Sequence, residues 1–572
     1  MKNKHSIILG GMIVLIPLIW AFYFLHTYGT NVLVNDDYFI VQLYDSFQEN
    51  GFSLTALWQL FGEHRMLVPR LILLVIVRFF NYNIMLVLGV ALFFYILYYL
   101  LIIKYIKSKI NTNNKTNALV FYFIVLLIGF LCFSGRQYET FLWGAAFFWP
   151  LIILCAGISF YAFSNYIVNS KIKYFGIFIL FAVIASFSSL QGLFIWITIL
   201  FFIIFLYLKK MYLNKRHLFY VGTIMLLTFI IYFYGYVKPD NHPSLFSEGL
   251  LPVINTFLMM LGTIAGGLNS YLSLAFGGIM LLLSIYYFSI TITDQRRLID
   301  NTFPLLLIIY GFITCASIAV GRSGFGIEDT GLTSRYTSYT LMIYIGVFLL
   351  MLNNHSITLV SYGMVLSGAT TFIMIISCMQ NIYLKQDYIA FKNGHEIVQH
   401  RTYYYKDYPD ELLGVNTPLP ELLEKYKLNI FDSKQYSPPQ KEYPKEYFND
   451  MINLGLEEHS NLNINDIHLT TDYLWMSGPW AFEFASQKPY AKIFVKINDK
   501  IFRCDYGMYR KDVAEAFQSK KLAFTGTEFS VNIQNENLAF PLNIQFFYVP
   551  VNENGYYTSS IFKITRETKY EN

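Results

Sequence analysis

Charge is shared very unevenly along this chain. Of the first 380 residues only 33 are Asp, Glu, Lys or Arg, against 46 of the last 192. An ordinary soluble domain is about a quarter charged, so the last part suits water and the first does not. The first part is instead built of apolar runs close to the roughly 20 residues that cross a bilayer as a helix. In lipid every main-chain N–H and C=O must be bonded within the protein, and runs of this length satisfy that demand as helices. A soluble enzyme, a disordered chain and a fibre are excluded as descriptions of the whole.

Eleven runs read as spans: 7–28, 84–106, 117–133, 143–164, 174–190, 192–208, 218–236, 271–291, 303–320, 338–353 and 357–378. Two more, 66–80 and 250–265, are ambiguous. If both crossed, the loops holding Lys104, Lys107, Lys109 and Lys115, then Lys171 and Lys173, then Lys209, Lys210, Lys215 and Arg216 would face outward, against the bias of basic loops toward the cytoplasm. The first run also contains Pro69, Arg70 and Arg78, and the second Pro252, Asn255 and Gly266-Gly267, so both are read as juxtamembrane or re-entrant helices. Lys2 and Lys4 precede an apolar run, Ser6 to Tyr28, that lacks a small-residue cleavage pattern. The first helix is therefore expected to be retained, with the N-terminus cytoplasmic and the C-terminal region outside.

That topology sorts the scarce charges by kind. Fourteen of the 21 basic residues in the first 380 fall on the cytoplasmic side, and 11 of those are lysine. Outside stand Arg65, Arg70, Arg78, Arg136, Lys238, Arg322 and Arg335, together with ten of the twelve carboxylates. Arginine suits two-pronged recognition of phosphate, and carboxylates suit proton transfer. The outer face thus reads as a site for an anionic ligand.

Three outer constellations carry this reading. The first outer loop holds Asn35-Asp36-Asp37-Tyr38, the stretch Ser53 to Leu60, and Gly62-Glu63-His64-Arg65. Adjacent carboxylates at the membrane surface fit a general base with a raised pKa, and equally a solvated polar loop. Glu63, His64 and Arg65 fit phosphate contact or an interfacial anchor. The second, Ser134 to Glu139, offers Arg136 and Glu139, either as site residues or as an i,i+3 pair, followed by Trp143 and Trp149. The third, Gly321 to Tyr339, offers Arg322, Arg335 and Tyr336, with Glu328 and Asp329 as structural partners for Arg335 on the alternative reading. The five cysteines form neither a disulfide framework nor a zinc spacing, and no nucleotide-binding or metalloprotease motif occurs in a suitable context.

The texture changes at about residue 381. Residues 381–460 mix helical pieces with turn signals such as Pro438-Pro439 and read as a mixed helical linker. From 461 strand-like alternation dominates, as in Ile493, Val495 and Ile497 before an Asn498-Asp499 turn, and 461–572 is expected to be a β-sandwich.

With these residues in view, the chain resembles bacterial GT-C glycosyltransferases that use polyprenyl-phosphate sugars, of the type that modifies surface polysaccharide or O-antigen. The similarity lies in the acidic first outer loop and outer C-terminal domain, and in Gly62-Glu63-His64-Arg65, Gln137-Tyr138-Glu139 with Leu142-Trp143-Gly144, and Ser334-Arg335-Tyr336. The segments Leu419-Pro420-Glu421, Ser477-Gly478-Pro479-Trp480-Ala481 and Tyr509-Arg510-Lys511-Asp512-Val513 are similar to tails of such proteins. The resemblance implies a multi-pass enzyme of the bacterial inner membrane, with residues 1–380 as the catalytic domain. Its donor would be a polyprenyl-phosphate sugar and its acceptor a surface glycan, O-antigen or another polymer. Asp37, or else Asp36, would be the base. Arg335, with Arg65 or Arg322 and with His64, would hold the donor phosphate, supported by Glu63, Arg136, Glu139 and Tyr336. No cofactor is implied, a divalent metal at the acidic pair remains an alternative, and no nucleic acid is expected. The competing readings are a surface-polysaccharide polymerase or ligase and a flippase for lipid-linked sugar, which calls for charges within the spans near the midplane.

Overall fold

The computed structural model describes residues 2–110, 115–211, 215–239, 243–244, 249–265, 269–354, 376–377, 379–413, 419–457, 467–551 and 554–565. Its contacts divide the chain into two units. A membrane unit comprises Met1–Gly29, Leu43–Phe80 and Met85–Gln386, and a C-terminal unit comprises Thr30–Gln42, Asn81–Ile84 and Asp387–Asn572. Two short pieces of the first 380 residues therefore belong with the C-terminal region, which the charge pattern did not foretell.

In chain order the described elements begin with helices α1 (Lys2–Tyr28), α2 (Phe39–Asn50) and α3 (Leu54–Trp58), then the hairpin strands β1 (Leu60–Phe61) and β2 (His64–Arg65). Next come α4 (Leu67–Phe80), α5 (Ile84–Lys109), α6 (Lys115–Cys132), α7 (Tyr138–Leu142), α8 (Phe148–Asn169), α9 (Ile172–Ser186) and α10 (Phe194–Leu208). They are followed by α11 (Lys215–Phe233), α12 (Leu250–Leu261), α13 (Ser270–Ile292), α14 (Gln295–Asp300), α15 (Thr302–Arg322), α16 (Ile327–Gly331) and α17 (Thr337–Asn354). Among the described residues seven segments are long and apolar enough to cross a membrane: Ile84–Lys109, Val120–Leu142, Gly144–Asn169, Leu190–Leu208, Ser270–Ile292, Thr302–Phe325 and Ser334–Asn353. Three further expected spans form shorter apolar stretches, Val14–Tyr28, Ile172–Ser186 and Leu218–Phe233. Nearly all of the run 357–378 lies outside the described residues. Helices α4 and α12, of 14 and 12 residues, are too short to cross.

Sequence explains where these helices begin and stop. Pro150 and Pro304 sit in the first turns of α8 and α15, where their missing N–H costs no helical bond. Helix α8 ends on Ser170 in a left-handed conformation whose N–H bonds Tyr166 O at 2.8 Å. Asp294 caps α14 by accepting from the N–H groups of Arg296 and Arg297. Within the bundle α8 is central, with 89% of its span buried, while α13 is peripheral at 28%. The exposed side chains on the rim are apolar, among them Phe93, Phe201, Ile204, Leu226, Ile279, Leu282 and Ile285. Large bare apolar surface of this kind belongs against lipid. Small residues set one close helix contact: a Cβ on Gly277 would stand 1.8 Å from Leu258 O, and one on Gly262 would stand 1.8 Å from Ser273 O, so α12 and α13 meet backbone to backbone.

The charge sorting read from the sequence has a structural counterpart. At one end of the bundle Lys109 Nζ donates to Asp300 O (2.9 Å), Gln295 to Lys209 O (3.4 Å) and Asn353 to Asn301 (2.7 Å), which gathers the lysine-bearing turns. The turns that carry arginine and carboxylate are gathered separately, as described below.

The C-terminal unit opens with α18 (Lys385–Tyr403). Strands β3 (Glu442–Tyr443), β4 (Ile452–Leu456), β9 (Lys492–Ile497), β10 (Lys500–Arg503), β13 (Leu542–Val549), β14 (Gly555–Thr558) and β15 (Phe562–Ile564) form a seven-stranded sheet in the order β3-β10-β9-β13-β14-β4, with β15 also on β13. Strands β5 (Ile467–Leu469), β6 (Tyr473–Trp480), β11 (Asp505–Met508) and β12 (Gly526–Asn532) form a second sheet in the order β11-β12-β6-β5, and β7 (Phe482–Glu483) pairs with β8 (Lys488–Pro489) as a separate two-stranded piece. Leu474, Met476, Phe529 and Val531 of the small sheet pack with Ile493, Val495, Ile497, Ile544 and Phe546 of the large one, which makes the expected sandwich. Its large sheet starts before residue 461, because β3 and β4 come from the segment read as linker. That segment also supplies Phe448, which packs with Phe494, Ile501 and Phe547 on the outer face of the large sheet. The pieces from the first 100 residues join this unit through polar bonds. Thr30 Oγ1 lies 2.8 Å from His395 Nδ1, Asn81 donates to Asp432 (2.7 Å), and Asn429 donates to Tyr82 O (2.9 Å) and Asn31 Oδ1 (3.0 Å).

Candidate functional site

The best-organised polar site of the membrane unit starts at the β1–β2 hairpin. Gly62 turns it with φ +54°, a conformation open to glycine, and pairs Phe61 with His64. The turn presents Glu63, which accepts from Arg322 Nη2 at 2.6 Å, at the end of α15. Burial opposes ionisation of Glu63, but His64, Arg322 and the Arg322 hydrogen bond outweigh it and hold the carboxyl down to about 2. His64 Nε2 lies 3.6 Å from Glu63 Oε1, and its Nδ1 accepts from the N–H of Leu190 at 3.4 Å. An accepting Nδ1 puts the ring proton on Nε2, toward Glu63.

A second pair repeats the arrangement. Arg335 Nη1 donates to Glu139 Oε1 at 3.0 Å, while the N–H of Arg335 and the Ser334 hydroxyl donate to Glu139 Oε2 at 3.1 and 2.8 Å. Three donor contacts from one turn fix the carboxylate, and the carboxylate fixes the guanidinium. The Arg335 guanidinium also lies over the rings of Trp143 (5.6 Å) and Tyr336 (5.3 Å). Tyr336 also lies near enough to Arg322 to interact with it electrostatically, so one tyrosine stands beside both arginines. Each arginine side chain keeps 26% of its surface exposed. The i,i+3 pairing of Arg136 with Glu139, and the pairing of Arg335 with Glu328 or Asp329, are replaced by the Glu139–Arg335 pair.

Other expected site residues are placed differently. Arg65 is 4% exposed and gives its guanidinium to main-chain carbonyls: Nε to Tyr232 O (3.2 Å), Nη2 to Tyr234 O (2.5 Å) and Nη1 to Trp58 O. Its ring-stacked position over Trp58 completes a structural clasp. Arg136, 5% exposed, donates to Thr263 O (3.0 Å) and Leu332 O. Buried carbonyls at helix ends need donors, and these two arginines serve that need rather than a ligand. Both clasps belong to the same set of turns as the Glu63–Arg322 and Glu139–Arg335 pairs, so these four arginines and two carboxylates share one end of the bundle.

The acidic pair divides. Asp36 is exposed, whereas Asp37 is fully buried and its Oδ2 accepts from the Val34 N–H at 2.9 Å. Tyr82 donates to Asp37 O at 2.7 Å. Both aspartates lie in the piece 30–42 that belongs to the C-terminal unit.

Sequence reasoning overlooked the residues that hold the site. Ser189 Oγ lies 3.3 Å from His64 Nδ1 and contacts Gln191. The uncharged polar run Ser186 to Gln191 between two apolar runs was a signal for this turn. Tyr232 receives the N–H of Arg65 (3.2 Å) and donates to Glu63 O (3.0 Å), and nothing in its apolar surroundings marked it. Compared with known proteins, the chain matches no family model and no curated protein.

Proposed function

We propose that this chain is a bacterial GT-C-type glycosyltransferase of eleven spans that moves a sugar from a polyprenyl phosphate to a surface glycan on the extracytoplasmic side. The observation that carries the reading is the pair Arg322 and Arg335, partly exposed, each tethered to one carboxylate and sharing Tyr336. A guanidinium has five N–H donors, and one nitrogen of each is engaged by its carboxylate. The remaining donors suit a phosphate monoanion or dianion, and the tether removes the entropy of positioning them.

In this reading the acceptor hydroxyl attacks the anomeric carbon, the bond from that carbon to the phosphate oxygen breaks, and the polyprenyl phosphate leaves with the electron pair. Arg322 and Arg335 stabilise the charge that grows on the phosphate. The resemblance assigns the acceptor's proton to Asp37 or else Asp36, both in the C-terminal unit. A phosphate leaving group needs no protonation, so no second acid is required. His64 and Glu63 act by holding Arg322.

The test is transfer of labelled sugar from polyprenyl phosphate in membranes, at equal expression, by the wild type and by Asp36→Asn, Asp37→Asn and Arg335→Ala. Loss of about a hundredfold in rate is expected for Arg335→Ala, and a large loss for Asp37→Asn or else for Asp36→Asn. Full activity in all three variants would refute the mechanism.

A further inference from the structure

The C-terminal unit contains a cavity of about 380 Å³ between α18, the segment around Tyr436 and the corner where β10 gives way to β11. That volume is in the range of about 300–1,000 Å³ typical of small-molecule sites. Its lining is mixed in a particular way. Asn393 and Gln399 offer amides, Glu396 and Asp505 offer acceptors, and Arg503 and His400 offer donors. Two carboxylates stand beside one guanidinium and an imidazole, so the lining has no excess of positive charge to hold an anion. Tyr436 and Tyr506 add aromatic surface.

One side chain in this lining is incompletely satisfied. His400 is 5% exposed, and its Nδ1 lies 2.8 Å from Asp505 Oδ1. Asp505 is held in turn by the Tyr408 hydroxyl, which donates to Oδ2 at 2.9 Å. The other ring nitrogen, Nε2, is buried and has no hydrogen-bond partner among the described residues. A buried polar atom left unpaired costs about 1–3 kcal/mol, and native proteins supply a partner at nearly all such positions. The frame around it is firmly built. Arg401, next to His400, is ion-paired with Glu528 of β12, and Lys441 pairs with Asp407 at 2.9 Å between the rings of Tyr404 and Tyr408. Such a frame holds a ligand site in shape before the ligand arrives.

We propose that this cavity binds a neutral saccharide unit, whose hydroxyls bond the amides and charged groups of its lining. A hydroxyl both donates and accepts, so it meets the acceptors of Glu396 and Asp505 as well as the donors of Asn393, Gln399 and Arg503. A polyol also matches a lining that mixes donors and acceptors beside the aromatic surface of Tyr436 and Tyr506. The inference stands on the cavity and not on the transferase reading, since binding is measured without any transfer step.

The probes are the methyl glycosides of glucose, galactose, mannose and N-acetylglucosamine, with inorganic sulfate as the anionic comparison, titrated into the full-length chain in detergent and followed by ligand-observed NMR. Saturable binding of at least one glycoside is expected, weakened about tenfold or more by His400→Phe and by Gln399→Leu. Arg503→Leu, outside the His400–Asp505–Tyr408 chain, leaves those bonds in place and is expected to weaken binding as well. Thermal unfolding of each variant identifies any loss that comes from misfolding. No saturable binding of any glycoside, affinity unchanged in all well-folded variants, or tighter binding of sulfate than of every glycoside would each overturn the proposal.

Discussion

At the scale of single residues, two acid-sensitive groups give the units different pH responses. Glu63 has its carboxyl held down to about 2, below its ordinary value of 4.5. A depressed carboxylate contributes stability that is complete above the unfolded pKa and is lost as pH falls through the folded one. The membrane unit is therefore expected to lose stability as pH drops from about 4.5 toward 2, and Glu63→Gln removes that part of the slope in thermal unfolding of the solubilised chain. His395 behaves in the same direction over another window. Burial pushes its imidazole down to about 4 from 6.5, with Thr30 on Nδ1. Between these values the unfolded chain binds a proton that the folded chain refuses, so stability falls as pH drops from 6.5 to about 4, by up to about 3 kcal/mol. His395→Gln is expected to flatten that window in unfolding curves of the C-terminal unit, and an unchanged slope would contradict the burial argument.

At the scale of elements, the close approach of α12 and α13 makes a sharper demand than any single side chain. With Gly277 lying where a Cβ would meet Leu258 O at 1.8 Å, Gly277→Val must push the helices apart. A loss of about 2–4 kcal/mol, read as a lower Tm in detergent, is expected from that overpacking. Much of this level was legible beforehand. The β9–β10 hairpin follows from the alternation of Ile493, Val495 and Ile497 before Asn498, which adopts φ +52° in the structure. Phe494, on the opposite face, broke the alternation, and the reason is the aromatic cover from Phe448 and Tyr447, which a local pattern does not display. The short α4 and α12 were legible from proline, arginine and the lysine-loop argument together. The pairing of β4 with β14 was not, because a parallel partner about 100 residues away leaves no local mark.

At the scale of the whole molecule, the sorting of charges between the two ends of the bundle organises the account. The lysine-rich loops stood out by counting, since the charge bias acts on whole loops. Which arginines hold main-chain carbonyls and which pair with carboxylates was not readable. Arg65, Arg136, Arg322 and Arg335 look alike in sequence, and only the carbonyls around the first two and the carboxylates beside the others separate them. The transfer of the Asp36–Asp37 turn to the C-terminal unit was equally hidden, because its neighbours Thr30 and Tyr38 bond His395 and Thr402, 365 and 364 positions further along the chain. Sidedness itself is testable with exposed positions at the two ends: a maleimide is expected to label Lys209→Cys only from the cytoplasmic face and Glu328→Cys only from outside, and labelling of both from the same face would break the topology. The most direct measurement of the central claim is the affinity of the solubilised full chain for polyprenyl phosphate. Wild type is predicted to bind it, and the double variant Arg322→Ala, Arg335→Ala, checked for an unchanged Tm, to bind about a hundredfold or more weakly; equal affinity in a well-folded double variant would contradict the assignment of these arginines as the phosphate site.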